Sequence, residues 1–153
     1  MQFWTTLCQA ETEQRNTDRF KNIIGQFKDS LLPIIWQALC ITEFTDDEDS
    51  NVEESPDEVA WTVSRAAGTF LTEAALLLGD NVVQETLTFA HTKMQGQSWQ
   101  ENYIGLIALG SICEGPSADK IAKEFDPAFP LIVKMLSTSQ SSRVRQAAAW
   151  VIS

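Results

Sequence analysis

An all-α fold, an α-solenoid of antiparallel helix pairs, is predicted by three observations. Strand patterning is nearly absent, apolar residues recur at three and four spacing almost throughout, and small residues repeat in alternate helices. Ser64-Arg65-Ala66-Ala67 aligns over Asn102-Tyr103-Ile104-Gly105 and over Arg145-Gln146-Ala147-Ala148, at offsets of 38 and 43 residues. Two helices per period of about 40 residues is the spacing of a solenoid. The partner helices agree, since Leu31-Leu32-Pro33-Ile34-Ile35 and Phe129-Pro130-Leu131-Ile132-Val133 each place a proline within an apolar run. A four-helix bundle with coincidental similarity is the competing reading.

The elements follow in order. A first helix over 2–15 presents Phe3, Trp4, Leu7 and Cys8 on one face. A second, over 18–41, starts at Thr17-Asp18 and carries Phe20, Ile23, Ile24, Phe27, Leu31, Ile34, Ile35 and Leu39, with a kink expected at Pro33. An acidic loop follows. Pro56-Asp57-Glu58 suits the first turn of a helix running to Leu78, because proline sacrifices no hydrogen bond there and carboxylates favour the positive dipole end. Gly79-Asp80-Asn81 ends it. Helices over 81–95 and 98–114 are stopped by Gly96-Gln97-Ser98 and Gly115-Pro116, and Ser117-Ala118-Asp119 caps a short turn. A helix through 129–136 and a last one from 141 complete the chain, a single partial solenoid over residues 1–153. It begins inside a helical pattern and stops at Trp150-Val151-Ile152-Ser153 with the apolar face still running, as a fragment of a longer array would.

Charge is concentrated in one place. Of 21 acidic side chains, nine lie within 43–58 (EFTDDEDSNVEESPDE), which holds no basic residue; the remaining 12 face 11 basic ones, so the net charge of -10 is local. Such a run is a docking surface for a basic partner or a merely solvated stretch. The Asp47, Asn51 and Glu58 register resembles a calcium loop, but Val52 stands where the sharp turn needs glycine and Pro56 interrupts it, which argues against a metal site. Cys8, Cys40 and Cys113 are odd in number and far apart, and read as reduced, buried small hydrophobes of an intracellular protein. No signal peptide or membrane-length apolar run is visible.

Catalysis finds no constellation. The single histidine, His91, has no nucleophile or acid at triad spacing and reads as a surface or half-buried helix residue; no Gly-rich phosphate loop is present. Gly68 and Gly79 fit helix packing and termination. Nucleic acid is disfavoured because no basic stripe with interleaved aromatics occurs. Trp4, Trp36 and Trp99 read as core. Trp61, just after the acidic run, and Trp150, two residues after the small Ala148, either pack between helices or reach a binding face, where an indole stacks on a Lys or Arg stem.

Arg143-Val144-Arg145-Gln146-Ala147-Ala148-Ala149-Trp150, preceded by the proline-bearing helix of 129–136, resembles a HEAT repeat. Five other features, in order, are similar to the middle of the importin-β (karyopherin-β) family of nuclear import receptors. They are Phe3-Trp4-Thr5-Thr6-Leu7-Cys8, Leu31-Leu32-Pro33-Ile34, the acidic loop followed by Trp61, Arg65-Ala66-Ala67-Gly68, and the run from Ala108 to Pro116. The resemblance implies about three and a half repeats around the eighth, with the acidic loop joining the two helices of one repeat and second helices lining a concave face. It further implies a non-enzymatic scaffold without cofactor that shuttles between cytoplasm and nucleus. Its partners would be the basic importin-β-binding segment of importin-α or basic cargo, the GTP-bound small GTPase Ran, and nucleoporins through the full-length receptor. On this reading Asp46, Asp47, Glu48 and Asp49 supply charge, Glu53 and Glu54 extend the field, and Trp61 and Trp150 are stacking anchors. One departure is that HEAT repeats commonly pair the Arg of the second helix with an Asp in the preceding turn, whereas Ser137–Ser142 offers Arg145 only hydroxyls and Gln140. A different HEAT scaffold, such as a regulatory subunit of a phosphatase or chromatin complex, would carry the acidic loop as a passive insertion. A calcium-dependent regulator is the third class.

Overall fold

The computed structural model describes residues 2–41 and 63–153. It contains helices α1 (Gln2–Gln14), α2 (Ile23–Leu39), α3 (Val63–Leu78), a 3-10 turn (Gly79–Val82), α4 (Val83–Met94), α5 (Trp99–Gly110), α6 (Ala118–Phe125), α7 (Phe129–Thr138) and α8 (Ser142–Ile152), and no strand among the described residues. Three helix pairs, α2 with α3, α4 with α5 and α7 with α8, pack as hairpins. The second helices also form a row, α1 on α3, α3 on α5 and α5 on α8, so α1 is the half repeat. The all-α solenoid of about three and a half repeats is therefore the observed architecture.

Burial follows the helical period. In α8, Val144, Ala147, Ala148 and Val151 are buried at i, i+3, i+4 and i+7; in α3, Ala67, Phe70, Leu71, Ala74, Ala75 and Leu78 form the corresponding stripe. The repeat-aligned small residues Ala67, Gly105 and Ala148 are all buried, because helix axes approach most closely there. Polar positions three residues ahead of Ala67 and Ala148 tie α3 and α8 to the ends of their partners. The Ser64 hydroxyl donates to Leu39 O at 3.1 Å, and Arg145 Nη1 donates to Ser139 O and Gln140 O at 2.8 and 2.9 Å. Arg145 thus replaces the missing Asp partner with two carbonyls at the end of α7.

Several elements differ from the sequence expectation. The second helix starts at Ile23 and not at Asp18, since Asn22 takes a left-handed conformation (φ 51°) and residues 17–20 close a turn instead. The helix continues through Pro33. Phe27 and Ile34 point outward, as does Phe3, while Leu32 and Ala38 fill the core places expected of them. Pro130 lies in the first turn of α7, so its likeness to the interior Pro33 is one of pattern and not of position. Residues 118–125 form a helix where only a turn was expected. Its two large apolar residues, Ile121 and Phe125, pack on the core one turn apart, and Lys120 pairs with Glu124 at 3.4 Å on another face. Cys8 is buried, but Cys40 is exposed at the end of α2, contrary to expectation.

Contacts between repeats lie along both layers. Trp36 of α2 and Phe89 of α4 stack with centroids 5.4 Å apart and planes within 8°. Lys28 pairs with Glu85 at 2.8 Å across the same two helices, and its pKa is raised chiefly by that hydrogen bond. Gln9 Nε2 donates to Glu73 Oε1 between α1 and α3. Trp4 and Trp99 are partly buried against the core, and His91 is half-buried on α4.

Candidate partner-binding face

Trp150 is the candidate site residue that lies within the described residues. It leaves α8 on the side facing α5, and its ring lies directly over Gly110, where any side chain would collide with it. The buried Ala147, Ala148 and Val151 fix the rotation of α8. The indole is nevertheless 49% exposed, so it combines a supported edge with a free face. That geometry suits stacking on an incoming aliphatic or cationic stem. Asp46, Asp47, Glu48, Asp49, Glu53, Glu54 and Trp61 lie outside the described residues. Their chain positions place them in the 40–62 connection between α2 and α3, the two helices of one hairpin.

Two carboxylates that sequence reasoning passed over hold α1 to its neighbours. Glu73 on α3 accepts from Gln9, and Glu11 on α1, 5% exposed, accepts from the first amides of α2. No sequence signal pointed to Glu11, because Asn22, immediately before Ile23-Ile24, is itself a favoured cap residue, and only the structure shows that its side chain makes no cap bond. Both carboxylates, after burial itself, push the Cys8 thiol up to about 12. Burial and Glu114 push Cys113 to about 11. These thiols are inert packing groups at neutral pH. Among the described residues, no group of three His, Cys, Asp or Glu could hold a metal ion, and no helix is long and apolar enough to cross a membrane.

The paired helices, the repeat and the Arg145 tether define a HEAT-repeat solenoid, and the HEAT-like repeat family matches residues 99–153. Over 99% of its length the chain is similar to importin subunit beta-1 of Arabidopsis thaliana, at 30% identity, and of Saccharomyces cerevisiae, at 27%. It spans under a fifth of those relatives, 18% and 17% respectively. The fold agrees. Yeast importin-β (Kap95p) superposes with a TM-score of 0.81 at 23% identity, covering 98% of this chain and 17% of that one. Importin-β in an ammonium sulfate condition gives 0.82 at 19%, with the same coverage. The chain is an importin-β-type HEAT segment.

Proposed function

We propose that this chain serves as part of a nuclear transport receptor, a non-enzymatic scaffold that binds the basic importin-β-binding segment of importin-α, or a basic cargo, and releases it to Ran-GTP. The observation that carries the reading is the end-to-end similarity to importin subunit beta-1. Two solved relatives add to it: Kap95p has been captured with RanGDP, and a Kap95:Nup1 complex is known. Shuttling through the nuclear pore and contact with nucleoporins by the whole receptor follow from the same kinship.

In physical terms, Asp46, Asp47, Glu48 and Asp49 attract the basic helix, Glu53 and Glu54 widen the field, and Trp61 and Trp150 stack on its side chains. Carboxylates acting at a distance mainly raise the association rate and weaken with salt. One acidic surface cannot satisfy two basic partners at once, which provides a route for Ran to exclude cargo. The test is titration of a labelled importin-β-binding helix at low and moderate salt. It runs beside a variant with Asp46, Asp47, Glu48 and Asp49 neutralised and beside Trp150→Ala. Saturable binding that falls with salt and in both variants is expected. A folded wild-type chain that binds nothing at low salt, together with a longer array that binds without needing these residues, would reject the assignment.

A further inference from the structure

The 40–62 connection leaves one end of the α2–α3 hairpin; the turn of residues 15–22 leads into the other, about 25 Å away along the 17 residues of α2. Its charge is of the opposite sign. Arg15, Arg19 and Lys21 fall within seven residues alongside one acid, Asp18, and among the described residues no carboxylate lies within ion-pair distance of the three cations. All three residues are exposed.

Beside them a crevice of about 380 Å³ is lined by Arg15, Phe20, Asn22, Lys28, Leu77 and Leu78, with Gly25 and Asn81 at its wall. Leu77 and Leu78 are buried at 3% and 8% exposure and supply an apolar floor. Lys28 is already committed to Glu85, to Asp29 and to the carbonyl of Asn81. Arg15 is not: its guanidinium makes one long bond, 3.4 Å, to Leu76 O in the last turn of α3, leaving most of its donors for a ligand. The N-terminus of α2 adds no anion site, because Glu11 already occupies its first amides.

A guanidinium with unused donors beside an apolar floor recognises a carboxylate with a hydrocarbon neighbour. We propose that this crevice docks a short acidic segment of a partner protein. An Asp or Glu meets Arg15, an adjacent apolar side chain lies against Phe20 and Leu78, and flanking acids are drawn by Arg19 and Lys21. A nucleic acid fits less well, since three cations on a chain of net charge -10 give a phosphate backbone a short foothold in a repulsive field. The occupant has the opposite charge from the basic helix proposed above and uses the opposite end of the hairpin. The two proposals therefore stand or fall separately.

The experiment is amide-resolved NMR titration of the isotope-labelled chain with an acidic peptide carrying a Glu-Asp-Leu-Phe core, beside its Gln-Asn-Leu-Phe counterpart. Expected are saturable shifts centred on Asn22, Gly25 and Asn81 with the acidic peptide alone. Arg15→Ala should weaken binding about fivefold or more, and Arg15→Lys should recover part of it. Arg15 is on the surface, so both variants should keep the wild-type melting temperature. Equal affinity in Arg15→Ala, shifts centred elsewhere, or equal binding of the neutral peptide would overturn the proposal. Tighter binding of single-stranded DNA or of anionic phospholipid vesicles with the same shifts would overturn the assignment to a peptide. Concentration-dependent shifts at these amides without peptide would instead assign the crevice to the acidic run of a second copy.

Discussion

The carboxylate of Glu11 caps a helix in a different repeat, accepting from the backbone amide of Ile23 at 2.6 Å and, through its second oxygen, from Ile24 at 3.0 Å. Helix starts leave such amides unsatisfied, and Asn22 supplies no side-chain cap to α2. A buried carboxylate at the positive end of the dipole meets both needs and locks α1 to α2. Glu11→Ala strands two amides and should cost on the order of 2–4 kcal/mol. Glu11→Gln keeps the shape and one acceptor and should lose roughly half as much. Urea denaturation followed by circular dichroism reads both, and a Glu11→Ala midpoint equal to wild type would remove the cap from the account.

Two glycines separate backbone crowding from side-chain crowding. A Cβ at Gly105 would stand 2.7 Å from Ala90 O and 2.9 Å from Met94 N, so α4 and α5 would have to part. Gly105→Ala should destabilise by about 2–3 kcal/mol, despite about 1 kcal/mol gained in helix propensity. At Gly110 the obstacle is the Trp150 ring, which is half exposed and can swing outward. Gly110→Ala should lie within about 1 kcal/mol of wild type while shifting Trp150 fluorescence to longer wavelength. The reverse order of stabilities would contradict the packing described.

The solenoid was legible because its determinants are local and periodic. Ala67, Gly105 and Ala148 repeat where helices touch, and Gly115, at φ 102°, marks the stop after α5. What escaped depends on partners distant in sequence. The start of α2 is set by Glu11, so the Thr17-Asp18 signal, a good cap by itself, lost to a carboxylate from another helix. The helix at 118–125 hid behind its flanking prolines and its having only two large apolar residues. Phe27 and Ile34 fit the apolar period of α2, yet its buried stripe is rotated onto Leu32 and Ala38. Of the candidate binding residues, Trp150 follows a buried small pair and stands half-exposed beside Gly110, while the acidic residues and Trp61 lie outside the described residues.

Thiol chemistry should sort the three cysteines by environment. Cys8 and Cys113 hold their protons up to about 12 and about 11, through burial and nearby carboxylates. Cys40 is exposed at the end of α2. Because the thiolate is the reactive species, brief treatment with an aromatic disulfide at neutral pH should modify Cys40 alone. The other two should react after denaturation. Mass spectrometry of the digested adduct decides, and rapid native labelling of Cys8 would mean that α1 does not pack as observed.

Asp80 and Ser117 join consecutive inter-repeat turns. The backbone amide of Ser117 donates to Asp80 Oδ1 at 2.7 Å and its hydroxyl to Oδ2 at 3.0 Å. These bonds, the backbone one first, hold the Asp80 carboxyl below its ordinary value of 3.8. A carboxylate depressed in the folded state contributes stability that is complete above the unfolded value and is lost as pH falls through the lower folded value. The melting temperature of wild type should therefore exceed that of Asp80→Asn at about pH 6, and the gap should close below 3.8. Ser117→Ala removes the hydroxyl but leaves the backbone donor, so it should retain most of the acid-dependent gap over Asp80→Asn. If that gap stayed constant through the acid range, the Asp80–Ser117 link would be held by shape alone, and the charge of Asp80 would contribute nothing to it.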